Sequence, residues 1–208
     1  MKKIDMDLLN KLFQQKASGA IVLDALCELA PKKKNYKNSI IIAVVCLIPS
    51  FLMGISYDTY SLFLGSIDII NNSITAVFGI IFTGYALFQA FINDELLIRL
   101  LNEPDREKKD KRSKLQETNE NFVGLMMLCI ISIILNVFLK ITISSVPEEF
   151  VVFDKRIYNN IVVIILMEIY FVFNAKIFWE LKSFVFNIFQ LFNLHAASKI
   201  IDIINDDK

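Results

Sequence analysis

Residues 122–143, FVGLMMLCIISIILNVFLKITI, decide the fold. The stretch holds one charged residue, Lys140, among apolar and small polar neighbours. Its length matches the roughly 17 to 25 mostly apolar residues that a helix needs to cross a bilayer. Hydrocarbon cannot satisfy exposed backbone N–H and C=O groups, so a segment of this kind crosses as a helix. Three further stretches read the same way: 39–56, 67–92 and 157–178. Short polar connections separate them. The expected fold class is therefore an all-α integral membrane protein with four transmembrane helices and long cytoplasmic helical extensions.

Composition agrees with this reading. Among 208 residues 55% are hydrophobic and 12% aromatic, more than a soluble domain of this size carries. The net charge of +0 conceals a segregation. Residues 1–38 hold eight Lys and four acids, residues 93–121 hold seven Lys or Arg, and four more Lys follow from Lys176. The other connections carry Asp58, Asp68, Glu148, Glu149 and Asp154 against Lys140, Lys155 and Arg156. Basic residues stay on the cytoplasmic side. Both termini and the central loop are thus expected inside, and the loops near 57–65 and 144–156 outside. Lys2 and Lys3 lead into Ile4, Asp5, Met6 and Asp7 rather than an apolar run, so no cleavable signal peptide is expected. The first membrane helix then serves as the insertion signal. Cys27, Cys46 and Cys129 show no pairing pattern, which fits a reducing interior and buried thiols. The Ile, Asn and Lys usage resembles that of an AT-rich bacterial genome.

The chain divides into five segments. Residues 1–38 form a cytoplasmic amphipathic helix and a basic juxtamembrane segment. Met6, Leu9, Leu12, Phe13, Ala20, Leu23 and Leu26 make its apolar stripe, and Pro31 ends it. Lys32, Lys33, Lys34 and Lys37 read as an anchor for anionic headgroups. Residues 39–92 hold the first two spans, with Pro49 expected to kink the first. The second helix is expected to continue from Ser66 to Leu101, about 54 Å, beyond a hydrocarbon core of about 30 Å. Residues 93–121 then form a cytoplasmic helical hairpin stalk turning at Pro104 and Asp105. Residues 122–178 hold the last two spans, and 179–208 a cytoplasmic C-terminal helix. From Tyr158 to Ile204 there is neither Pro nor Gly, so one very long helix is expected, with a break near Asn193 as the alternative. Phe171, Phe173, Phe178, Phe184, Phe186, Phe189 and Phe192 crowd its lower half.

Polar residues within the spans are the candidate functional positions. Asn72, Ala76, Gly79, Thr83, Ala86 and Ala90 share one face of the second span. Small residues permit close helix approach, so Asn72, Gly79 and Thr83 read as packing positions, with a pore-lining face as the alternative. In the third span Cys129, Ser132, Asn136 and Lys140 share a face. Asn136 lies deep enough to need an interhelical hydrogen bond, and Lys140 is expected to snorkel outward. Glu168 is the carboxylate nearest the middle of a span, either functional or a hydrogen-bonded structural group. Lower on that helix Lys176, Glu180, Ser183, Asn187, Gln190 and Ser198 fall within about 60° of one another at 100° per residue. Upward, the same face becomes Val172, Ile169, Ile165 and Val162, all apolar. One reading is a wet helix face below the bilayer. The other is a cytoplasmic vestibule below an apolar constriction, which gates by dewetting.

No motif for catalysis, cofactor or metal is present: no P-loop, dinucleotide fingerprint, zinc spacing or nucleophile elbow. The one histidine, His195, sits in a Phe- and Leu-rich stretch and reads as a packed or surface residue. No catalytic residue, cofactor or metal ligand is therefore assigned. No inverted repeat with broken helices suggests a secondary transporter. The expected function is an oligomeric pore or channel-like protein of the bacterial inner membrane. The alternative is a non-conducting membrane scaffold or immunity protein that binds another protein.

The layout looks like the compact four-span effectors of bacterial anti-phage defence. The matching features are the four spans, the inside termini, the long hairpin around Pro104 and the helical C-terminal extension. The resemblance implies a homo-oligomer that permeabilises the inner membrane under control of a cytoplasmic regulatory protein, nucleotide or nucleic-acid ligand. It is one of layout and carries over no site residues.

Overall fold

The computed structural model of the chain describes residues 6, 9, 17–30, 36–92, 94–102, 113–147, 153 and 155–206. Six helices account for nearly all of them: α1 (Ser18–Leu29), α2 (Tyr36–Ile55), α3 (Thr59–Phe91), α4 (Asp94–Asn102), α5 (Lys114–Ser145) and α6 (Arg156–Asp206). Four of these, α2, α3, α5 and α6, are long and apolar enough to cross a membrane. In their most apolar windows only 22 to 39% of residues are buried by the chain itself. The rest is apolar surface on a scale that water-exposed monomers rarely carry.

Local chemistry sets the helix ends. The turn between α2 and α3 is only Ser56, Tyr57 and Asp58. The Asp58 amide donates to Ser56 Oγ at 3.2 Å, and Thr59 Oγ1 donates to the Met53 carbonyl at 2.8 Å. Such hydroxyl-to-backbone bonds satisfy groups that a helix end leaves open. The turn is shorter than the 57–65 loop expected from sequence, because Gly65 is accommodated inside α3. Ser113 caps α5, its Oγ accepting the Gln116 amide at 3.2 Å. In the first turn of α6, Asn159 clamps the backbone ahead of the helix: its Oδ1 accepts the Phe153 amide at 2.9 Å and its Nδ2 donates to the Phe153 carbonyl at 2.7 Å.

The helix expected from Ser66 to Leu101 is two helices: α3 ends at Phe91, Ile92 is not helical, and α4 starts at Asp94. Asn93 and Asp94 follow the apolar run, and such side chains favour helix starts over helix interiors. The strongly amphipathic α4 buries Leu96 and Leu100 and exposes Leu97. By contrast α6 runs unbroken through Asn193 for 51 residues, about 77 Å. Pro49 lies inside α2 without ending it. The hairpin tip around Pro104 and much of the first amphipathic stretch, Leu12 and Phe13 included, lie outside the described residues. Within α1, Leu23 of the expected apolar stripe is exposed, and the buried side chains are Ala25 and Leu29.

Packing separates the chain into two compact units. The first comprises Met1–Ala25, Gly79–Met127 and Leu181–Lys208, and the second Leu26–Phe78 and Leu128–Glu180. In the first, Phe122 is the centre of an aromatic cluster. Its ring meets Phe184 edge-on at 5.0 Å between centroids and stacks on Phe88 at 5.6 Å. Gly84 lets α6 come close, since a Cβ there would lie 2.7 Å from Ile188 Cδ1. In the second unit Ile42, Cys46, Ile67, Met167, Tyr170 and Phe171 form the core. Phe63 meets Tyr170 and Phe171 at right angles. Gly54 is packed so closely that a Cβ would run into Ile164. Of the Phe-rich lower α6, Phe184 is buried, while Phe186, Phe189 and Phe192 are exposed.

Candidate functional site

The second unit contains a polar seam in an otherwise apolar core. On α5, Ser132 and Asn136 are buried, with 0% and 1% exposure, and on α6 Asn174 is buried to 1%. Positions 132, 136 and 140 are successive steps of four, so they share one helix face at about 6 Å intervals. Tyr170 and Asn174 are related by the same step on α6. Ser132 Oγ donates to Asn174 Oδ1 at 2.6 Å. Asn174 Nδ2 donates back to the Tyr170 carbonyl at 2.9 Å, and the Tyr170 hydroxyl donates to Asn136 Oδ1 at 3.0 Å. At the end of the α5 row, Lys140 Nζ meets Asp68 Oδ1 at 2.6 Å, both side chains about half-exposed. Lys140, expected to snorkel outward, is about half-exposed and pairs across to α3. Hydrogen bonds among these groups offset part of the desolvation cost that isolated polar groups would carry.

Beside the seam, Glu168 is half-buried and its Oε2 accepts from Ser50 Oγ at 3.0 Å. Ser50 is fully buried, and its single hydroxyl proton is shared between that carboxylate and the Cys46 carbonyl at 2.9 Å. The carboxylate is thus a hydrogen-bonded member of the α2–α6 contact. Lys176 is half-buried and engaged: its Nζ donates to the Leu29 carbonyl at 2.8 Å. A cation on the last carbonyls of a helix satisfies an open acceptor and opposes the negative end of the dipole.

The other expected pore and vestibule positions lie on outward surfaces of α6. Val162, Ile165 and Ile169 are exposed to 36%, 53% and 63%. Ser183, Asn187 and Gln190 are exposed, and Glu180 is half-buried with a polar contact of its own. The small-residue face of α3 is also outward: Asn72, Ala76, Gly79, Thr83, Ala86 and Ala90 are all exposed. A Cβ at Gly79 would meet nothing within 4 Å. Within this chain, the close glycine contacts are at Gly54 and Gly84 instead. Thr83 Oγ1 donates to the Gly79 carbonyl of its own helix.

His195 edges a small apolar pocket lined by Gly84, Phe88, Phe91, Leu96, Ile188 and Phe192 among others. Its ring lies 5.6 Å from that of Phe91. The pocket holds about 20 Å³, room for roughly one water molecule. Among the described residues no three of His, Cys, Asp and Glu gather as a metal site would require.

Sequence reasoning found the α5 half of the seam and missed its partners, Tyr170, Asn174 and Asp68, as well as Ser50, which meets Glu168. Asn174 was the available signal, an amide within a span one helical turn from Tyr170.

No family model matches this chain, nor does any curated protein or solved structure. What the fold itself defines is a class: among the described residues, a helical protein with four helices long and apolar enough to span a membrane.

Proposed function

We propose that the chain is a multi-pass protein of the bacterial inner membrane that assembles into a homo-oligomeric pore. Both termini and the 93–121 connection lie in the cytoplasm, where the basic residues cluster. A four-span chain has few residues for an enclosed path of its own, so the path forms between copies about a symmetry axis. The observation that carries this reading is the outward face of α6. It leaves Val162, Ile165 and Ile169 exposed, with exposed Ser183, Asn187 and Gln190 further along the same helix. Copies of that face around an axis make an apolar neck followed by a polar vestibule, an arrangement that gates by wetting. The layout resembles that of compact four-span anti-phage effectors, and this resemblance is what suggests control by a cytoplasmic regulatory protein, nucleotide or nucleic acid.

The alternative α3 lining is less favoured. The hydroxyls of Ser73, Thr75 and Thr83 all donate to carbonyls four residues back in α3. Thr142 and Ser145 do the same in α5. Side chains satisfied in this way meet lipid without needing a polar partner. The same observation favours a second reading, a non-conducting scaffold whose lateral faces meet lipid.

Ion flux from liposomes containing the purified protein separates the two. A pore gives flux, and Ile165→Asn or Ile169→Asn increases it by easing hydration of the neck. Well-inserted, stable variants with flux no greater than protein-free liposomes would leave the scaffold reading.

A further inference from the structure

We propose that water enters the second unit beside the Asp68–Lys140 pair and hydrogen-bonds Asn136, so that the amides between α5 and α6 line a hydrated crevice. Three observations carry this. Asn136 is 1% exposed, yet its Nδ2 has no acceptor among the described residues. Rotating the amide does not remove the problem. Nδ2 would then donate to the Tyr170 hydroxyl, and Oδ1 would take the unpartnered position, so one polar atom stays without a protein partner either way. Small polar sites of this kind are where proteins hold buried water.

The second observation is the ion pair one helical turn along the same α5 face. Asp68 and Lys140 are about half-exposed although both stand in helices apolar enough to span a membrane. Charges in such helices face protein or a water-filled cavity, because hydrocarbon solvates them poorly. Water at the pair is one turn from Asn136. The third is continuity: Asn136, Tyr170, Asn174 and Ser132 are joined by hydrogen bonds, so an entering water meets polar atoms rather than a greasy wall. The ligand is water itself, held by an amide donor and a phenol. The inference concerns the interior of one subunit and does not depend on conduction between subunits.

Two measurements test it. In a background with Cys27, Cys46 and Cys129 replaced by Ala, a small membrane-impermeant thiosulfonate is applied to Asn136→Cys and Leu135→Cys. Leu135 is 41% exposed and Asn136 is 1%. A hydrated crevice inverts that order, and Asn136→Cys reacts faster. Equal or slower reaction at position 136 overturns the proposal. Hydroxyl-radical footprinting of the unaltered protein decides the matter if a cysteine variant fails to insert. Tyr170, 5% exposed, is then modified at a rate comparable to the 94% exposed Tyr57. A Tyr170 left unmodified at doses that saturate Tyr57 overturns the crevice.

Discussion

Three glycines show how one residue type takes opposite roles. Gly54 faces Ile164 and Gly84 faces Ile188 and Phe184, whereas Gly79 faces open space. Gly54→Ala forces a methyl group into occupied volume, and overpacking of this kind costs about 1–3 kcal/mol. Gly79→Ala meets nothing, and the helix gains up to about 1 kcal/mol in propensity. Thermal unfolding in detergent is expected to show a lowered midpoint for Gly54→Ala and an equal or raised one for Gly79→Ala. A fall at Gly79 in monomeric protein would place a close contact there after all. Sequence alone does not separate these positions. Each glycine sits in an apolar helix, and what differs is the residue across the interface, more than 100 positions away in both contacting cases.

At the scale of elements, the contact between α1 and α6 is the one most open to experiment. Lys176 donates to the last residue of α1, Leu29. Removing a charged donor from a half-buried helix terminus costs about 1–2 kcal/mol through the lost bond and dipole interaction. Lys176→Met keeps much of the side-chain volume and removes the charge. Hydrogen exchange in Ser18–Leu29 is expected to quicken by roughly tenfold, the factor that about 1.4 kcal/mol corresponds to. Unchanged exchange would mean that apolar packing of Ala25 and Leu29 alone holds α1. The length of α6 was legible in the sequence because no Pro or Gly interrupts it. The division of α3 from α4 was less so, since Asn93 and Asp94 differ little from the polar residues that α3 carries inside.

At the scale of the whole molecule, charge distribution and assembly are the testable properties. If both termini are inside, as proposed, Tyr57→Cys in intact cells reacts with an impermeant reagent and Lys109→Cys is protected. The reverse pattern inverts the topology. Assembly is read from the mass of the detergent-solubilised protein with and without crosslinking, a multiple of the 23.9 kDa chain being expected. If the exposed α3 face meets another copy, Gly79→Leu lowers that mass. A monomeric wild type would remove the intersubunit path.

Legible in the amino-acid sequence are the helical character of the chain, four helices of membrane length, and a single helix face shared by Cys129, Ser132, Asn136 and Lys140. These are local properties: apolar run length and a repeat of 3.6 residues are recorded within a single segment. It takes the packed fold to bring Asn136 to Tyr170, Ser132 to Asn174, Glu168 to Ser50 and Lys176 to Leu29. That packing also turns the Asn72–Gly79–Thr83 face outward and puts Gly54 and Gly84 into contact. Periodicity tells which residues of a helix lie together, but a partner is chosen by the packing of segments far apart in the chain. A face of small or polar residues carries no mark of which helix, if any, lies across from it.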